Sequence, residues 1–413
     1  MAKPRKDPKG RTLRKGESYR KSDKSYVYRY TDALNKKQAI YSTDLMALRE
    51  REEQLVRDQQ DGLDVYVAGK SDLNAVWDRY IATKSEIRET TYANYVYMYD
   101  HFVRDGFGKS KIGDIKYSDV LYFYNHLLKD EEVQVNTLDN IHTLLHPTFN
   151  LAVRDGIIRN NPSKGVMADI KRKSGKNKGI RHALTIEQQR AFMEYVCTNP
   201  IYVGWATLFT VMFGTGCRVG EVIGLRWDDI NYEDKLININ HSVTYYPRRN
   251  GKSAKCEFKV SLPKTEKGIR DIPMFDKVKD ALQEEYEYQK ENGFNETVID
   301  GMSGFIFKNR FGNIHNPQAI NRAIKRIYEA YNAEEIVRAT KEKREPVLIP
   351  HFSCHVMRHT FCARLCEHED NLKVIMEIMG HADIETTAQI YAEVTNGRKQ
   401  KAFEKLAQEV ELF

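Results

Sequence analysis

Gly214-Thr-Gly-Cys-Arg218-Val-Gly-Glu221 and Ser353-Cys-His355-Val-Met-Arg358-His359, followed by Gly380-His381 and then Tyr391, decide how this chain is read. The first stretch is a glycine-rich turn entering a helix, with an arginine and a carboxylate three residues apart. It lacks the Gly-Lys-Ser/Thr ending of a phosphate-binding P-loop. In the second, positions three apart share one helix face, so His355 and Arg358 can reach a common ligand. Between the two, Leu262-Pro-Lys264-Thr-Glu-Lys-Gly-Ile-Arg-Asp-Ile-Pro273 places Lys264 in a turn between two strands. Taken singly, each piece has an ordinary explanation, such as a surface ion pair or a structural histidine. Together they hold what attack on a phosphodiester requires. Two planar guanidiniums, Arg218 and Arg358, can grip non-bridging oxygens bidentately. They would stabilise the charge that builds on a pentacoordinate phosphorus. A lysine or histidine can protonate the departing 5′ oxygen, and the Tyr391 hydroxyl can attack.

His355, His359, Cys362 and Cys366 form an i, i+4, i+7, i+11 stripe that invites a zinc reading. On one helix that stripe is about 16 Å long, while zinc ligands lie about 2.0–2.3 Å from the metal. One ion cannot take all four, so no metal site is expected and these cysteines are assigned to the core. The six cysteines show no paired framework and read as reduced thiols of a cytoplasmic protein.

The 413 residues exceed one ordinary core, so two or three domains are expected. At 41% hydrophobic and 30% charged, the composition is that of a globular protein. No apolar run approaches the roughly 20 residues of a membrane helix, and the charged N-terminus does not resemble a secretory signal. The net charge is +7, concentrated in two places. One is the N-terminal segment with Arg11, Arg14, Lys15, Arg20 and Lys21; the other is Lys171-Arg172-Lys173-Ser-Gly-Lys176-Asn-Lys178. Neither carries an amphipathic apolar face, which suits a polyanion such as nucleic acid better than a membrane.

Residues 1–66 read as a small basic α+β domain. Ser25–Tyr30 alternates like a half-buried strand, Lys37–Ser42 returns, and Leu45, Leu48 and Leu55 mark a helix. Residues 71–165 read as all-helical. The stripes are Leu73, Val76, Trp77 and Tyr80; then Tyr92, Val96, Tyr99 and Phe102 or Val103; then Val120, Leu121, Tyr124 and Leu127 after a Ser118 cap; then Ile141, Leu144, Leu145, Phe149 and Ala152, with a kink expected at Pro147. Residues 166–182 read as a basic linker. The remainder, 183–393, is mixed and mainly helical with a small antiparallel sheet. Helices are expected near 186–197, 201–213, 276–290, 316–331, 355–368 and 383–393. Strands are expected at 236–240, 258–262, 269–272 and 304–307, and a long polar hairpin around Tyr245 to Glu257. The tail 394–413 carries Phe403, Leu406, Val410 and Leu412 at roughly helical spacing, able to pack on its own domain or on a neighbouring subunit.

The ordered set Arg218, Lys264, His355-x-x-Arg358, Gly380-His381 and Tyr391 resembles the tyrosine recombinase (phage-type integrase) family, and most of all the integrases of conjugative transposons. Leu225-Arg-Trp227 and Ile378 to Thr387 add to the likeness. The resemblance implies that Arg218 and Arg358 clamp the scissile phosphate and that Lys264 is the general acid. It implies that His355 assists proton transfer, His381 hydrogen-bonds the phosphate, Glu221 orients its neighbours and Tyr391 forms a 3′-phosphotyrosine. It further implies no metal and no ATP, an arm-type DNA-binding domain at the N-terminus and a helical core-binding domain after it. A tetramer on two double-stranded DNA sites, excisionase-like and DNA-bending partners, and a cytoplasmic, nucleoid-associated location are expected on the same ground. Two other readings share features with it. A type IB topoisomerase has the same catalytic set, but the separate arm-like module argues against it. A non-catalytic DNA-binding regulator would have no reason to keep Tyr391 with both arginines.

Overall fold

The computed structural model describes residues 5–31, 37–60, 71–173, 182–250, 253–263, 268–381, 384–385, 387–392 and 394, with backbone alone at 58–60, 173, 247–250 and 253–255. The chain divides into two compact units, residues 1–178 and 179–413.

The first unit opens with a three-stranded antiparallel sheet in the order β1 (Glu17–Arg20), β2 (Ser25–Thr31), β3 (Lys37–Ser42). Helix α1 (Leu45–Gln60) starts at Asp44, whose carboxylate accepts the Ala47 N–H at 2.9 Å. It presses Leu45 and Leu48 onto Tyr26 to make a small core. Strand β1 has no alternating pattern to announce it, because its Glu17 is fully buried and bonded to Arg49 at 2.9 Å.

The helical part that follows comprises α2 (Leu73–Ala82), α3 (Glu89–Tyr99), α4 (Tyr117–Lys129), α5 (Val135–Arg154) and α6 (Val166–Lys173). Its core holds the first, third and fourth expected stripes, with Trp77 stacked on Tyr99 at 4.2 Å, while Tyr92 of the second stripe is exposed. A π-helical turn, Asp100–Arg104, widens the end of α3. The fully buried residue there is Val103, while Phe102 is only partly covered. Two expectations need correction. Helix α4 is capped at Lys116, whose N–H is accepted by Asp119 at 2.8 Å, so Ser118 lies inside the first turn. Pro147 lies inside α5, whose buried face continues through Thr148, Phe149 and Ala152. The segment assigned to a linker from 166 begins as helix α6, whose Val166, Met167 and Ile170 are buried in the helical core. Residues 174–181 lie outside the described residues, as does the tail after 394.

The second unit contains α7 (Ile186–Thr198), α8 (Ala206–Thr215), α9 (Val219–Gly224), β4 (Ile230–Asn231), β5 (Leu236–Ile239), β6 (Ser242–Asn250), β7 (Ser253–Ser261), β8 (Arg270–Pro273), α10 (Asp276–Asn292), α11 (Pro317–Glu342), α12 (Cys354–His368) and α13 (Leu372–Met379). The backbone is again helical at 387–392. Strands β4, β5 and β8 form one antiparallel sheet, and β6 with β7 forms the long hairpin. Phe192 meets Phe209, Phe213 and Phe352 at the centre of the main core. Three differences from expectation stand out. The run 304–307 is not a strand: Phe305 joins Arg226 through an isolated bridge, and these residues are buried for packing. Helix α11 runs on to Glu342, and α13 is an additional helix. Among the described residues no helix is long and apolar enough to cross a membrane.

Candidate active site

Two helix ends create the site. Helix α8 stops at Gly216, whose φ of +62° suits glycine. A Cβ there would stand 2.3 Å from the Phe361 ring, so the turn can approach α12 only without a side chain. Helix α9 begins three residues later, and Glu221 in its first turn reaches back to accept the Arg218 N–H at 2.8 Å. The second end is that of α13, which starts at Asn371 and stops at Gly380, again with φ +62°.

Three guanidiniums converge on three successive carbonyls at that stop. Arg270 donates from Nε to the Ile378 oxygen at 2.8 Å. Arg358 donates from Nη2 to the Met379 oxygen at 2.6 Å, and from Nη1 to Gly216 at 2.8 Å. Arg218 donates from Nη2 to the Gly380 oxygen at 2.8 Å, and from Nη1 to Glu221 Oε1 at 2.8 Å. The last carbonyls of a helix are its negative end, so cations belong there. His381 follows at once, its Nδ1 sharing a hydrogen bond of 2.7 Å with the Thr387 hydroxyl.

The electrostatics separate these groups by role. Burial alone would raise the Glu221 carboxyl, but hydrogen bonds and charge from Arg270, with the Arg218 charge, hold it at about 2. Burial, together with the neighbouring Arg218 and Arg270 charges, lowers Arg358 to about 10, and it remains a cation at neutral pH. Burial also lowers His381 to about 4, helped by the charges of Arg358, Arg218 and Arg270. It is therefore a neutral imidazole with one N–H to give and one lone pair to accept. Arg218 keeps 42% of its side chain open to solvent, whereas Arg270 keeps 6%. The cluster gathers positive charge, with Arg218 as its exposed member, and suits an anion with several oxygens.

His355 is exposed on the first turn of α12, three residues before Arg358. Tyr391 packs against the small cluster of Cys362, Cys366, Ile375 and Met379, and its hydroxyl donates to Asp370 Oδ1 at 3.4 Å. Lys264 lies outside the described residues, in the connection between β7 and β8. Cys362 and Cys366 are fully buried apolar neighbours, as the zinc argument anticipated. Arg270 was missed by sequence reasoning: a lone arginine in a short strand carries no signal until its partners are known.

The basic candidates are unequal. Arg11 is committed to Asp7 and Tyr26, each at 2.8 Å, and builds the N-terminal turn. Arg14 reaches Glu53 at 3.4 Å, Arg20 pairs with Asp23 at 3.6 Å, and Lys15 and Lys21 are exposed. Lys171 is bonded to Asp139 at 2.8 Å and Arg172 to Asp169 at 3.2 Å. The Lys173 side chain and all of Lys176 and Lys178 lie outside the described residues.

Comparison with known proteins bears on all three parts. Residues 1–59 match the DNA binding domain of tn916 integrase, 73–128 the N-terminal SAM-like domain of phage integrases, and 182–398 the phage integrase family. The transposase from transposon Tn916 of Enterococcus faecalis is 28% identical over 412 residues, covering 96% of this chain and 95% of that protein. The Tn1549 transposon integrase in complex with transposon right end DNA is 25% identical with a TM-score of 0.67, covering 82% of this chain and all of the other. A lambda integrase dimer bound to a core site, 16% identical with a TM-score of 0.52 and covering 78% of this chain and 95% of the other, shares the fold. With a family match that spans more than half of its length and holds Arg218, Arg358, His381 and Tyr391 in order, the chain belongs to the phage integrase family of tyrosine site-specific recombinases.

Proposed function

We propose that this chain is the integrase of a conjugative transposon, and that it cuts and rejoins double-stranded DNA through a 3′-phosphotyrosine at Tyr391. The observation that carries the mechanism is the convergence of Arg218, Arg358 and His381 on one turn, with Arg218 still open to solvent. The two guanidiniums take the non-bridging oxygens of the scissile phosphate and hold the charge that builds during attack. His381, neutral at working pH, adds one N–H to the same phosphate. The phenol oxygen of Tyr391 bonds to phosphorus as the 5′ oxygen leaves. The phenol proton passes to His355, and Lys264 protonates the departing oxygen. One phosphate ester replaces another, so rejoining is the same step reversed and no nucleotide is consumed. In the DNA-free chain Tyr391 rests on Asp370, and attack requires it to exchange that carboxylate for the phosphate.

The 1–66 sheet domain serves as the arm-site reader and the helical part as the core-site clamp. The two-part layout and the likeness to transposon integrases support both assignments. Lys15 and Lys21 are the best placed of the N-terminal basic residues to meet phosphates, being exposed, while Arg11 acts through the fold of that domain. The active assembly is a tetramer on two DNA sites, with excisionase-like and DNA-bending partners setting direction, at the bacterial nucleoid. No metal takes part.

The test is a nicked suicide duplex carrying the element's end, incubated with the protein in EDTA and run on a denaturing gel. A covalent protein–DNA band is expected, absent in Tyr391→Phe while DNA binding persists. Binding with no band on a verified end sequence would overturn the enzymatic reading.

A further inference from the structure

Glu221 sits between two arginines, and its charge has to be assigned to one of them. Arg270 approaches it with both terminal nitrogens, Nη2 to Oε2 at 2.9 Å and Nη1 to Oε1 at 3.3 Å. Arg218 reaches it with one, Nη1 to Oε1 at 2.8 Å. Arg270 and Glu221 are both almost wholly buried, with side chains 6% and 8% exposed, whereas Arg218 is 42% exposed. Arg270 also binds two carbonyls, Ile378 in the last turn of α13 and Gly268 beside its own strand. Gly380 is moulded to it: a Cβ at that position would lie 2.8–2.9 Å from the guanidinium.

We propose that Arg270 is a positioning residue for the phosphate site. It is the fixed counter-ion of Glu221, and it ties that carboxylate to the turn presenting Met379, Gly380 and His381. The proposal rests on the reading of Arg218 and Arg358 as the phosphate clamp. Its logic is one of charge. With Arg270 in place, three guanidiniums and one carboxylate leave two positive charges for the scissile phosphate. Without it, Glu221 draws on Arg218 and the clamp keeps one. Coulomb attraction is strong where Glu221 and Arg270 are buried, which makes that difference large. A lysine cannot replace Arg270, since a single ammonium does not span two carboxylate oxygens and a helix-end carbonyl in one plane.

The test compares Arg270→Met, Glu221→Gln and the double variant with wild type. The readouts are single-turnover formation of the covalent complex on the suicide duplex, duplex affinity and thermal unfolding. Arg270→Met is expected to slow covalent-complex formation about 100-fold, the scale of losing one pre-organised charge stabiliser. Duplex affinity should change by less than about threefold, because many phosphate contacts set it. The double variant, which removes the stranded carboxylate charge, should recover about tenfold in rate, a coupling of the kind that contacting residues show. Unfolding temperature shows whether the single variants fold. A double variant as slow as Arg270→Met would mean that the arginine acts only as packing, and the proposal would fall while the recombinase reading stood. A wild-type chain that binds a verified end but gives no covalent band would overturn that reading and this proposal with it.

Discussion

Gly380 is required by two independent geometries. Its φ is +62°, and the place where a Cβ would go is filled by the Arg270 guanidinium. Relief by movement of Arg270 would break its bonds to Glu221 and Ile378. Gly380→Ala should therefore cost about 1–3 kcal/mol of stability, measured by urea unfolding. Covalent-complex formation should fall further than duplex affinity does. A fully active, equally stable variant would mean that the turn and the guanidinium accommodate the methyl together. Arg218, Arg358 and His381, which the structure brings to one turn, were named from the sequence, because an arginine after a glycine turn and a His-x-x-Arg helix have few other uses together. Arg270 and Thr387 were not, since their roles come from partners 49 and 6 residues away that only folding brings near. Arg11, named for its charge as a DNA contact, is bonded in the fold to Asp7 and Tyr26.

At the level of elements, periodicity found the helices that bury one face and failed where burial does not follow a period. The stripes of α2, α4 and α5 lie in the core where the spacing put them. Strand β1 hides a glutamate, and the 304–307 run is apolar without being a strand. Helix α13 was flanked by a capping Asn371 and a terminating Gly380, the two signals that could have revealed its eight residues. Charge outweighed pattern at α6. Its Lys171, Arg172 and Lys173 suggested a linker, while Val166, Met167 and Ile170 form an apolar face on the preceding residues of the same helix. Ile170 is 4% exposed, so Ile170→Ala should cost about 2–4 kcal/mol of the helical part's stability in denaturant unfolding. A cost near zero would return this segment to the linker.

Among the described residues there are separate apolar cores that share no residue: one in the N-terminal sheet domain, one in the helical part and two in the second unit. Chains built this way do not unfold as one cooperative body. Scanning calorimetry of the DNA-free protein should show a total enthalpy above the van't Hoff value of its main transition; equality of the two would count against independent cores. Domain order was readable from composition, because a basic sheet pattern, an aromatic-rich helical pattern and a mixed region succeed one another. How the arginine cluster closes was not, as its parts come from residues 216–221, 270, 358 and 378–381. That scatter has a consequence during synthesis. The N-terminal sheet domain and the helical part emerge from the ribosome first and can fold first. The carbonyls that gather the three arginines are translated more than 150 residues after Arg218. A chain stopped before the final helices thus carries its early domains but leaves the three arginines ungathered.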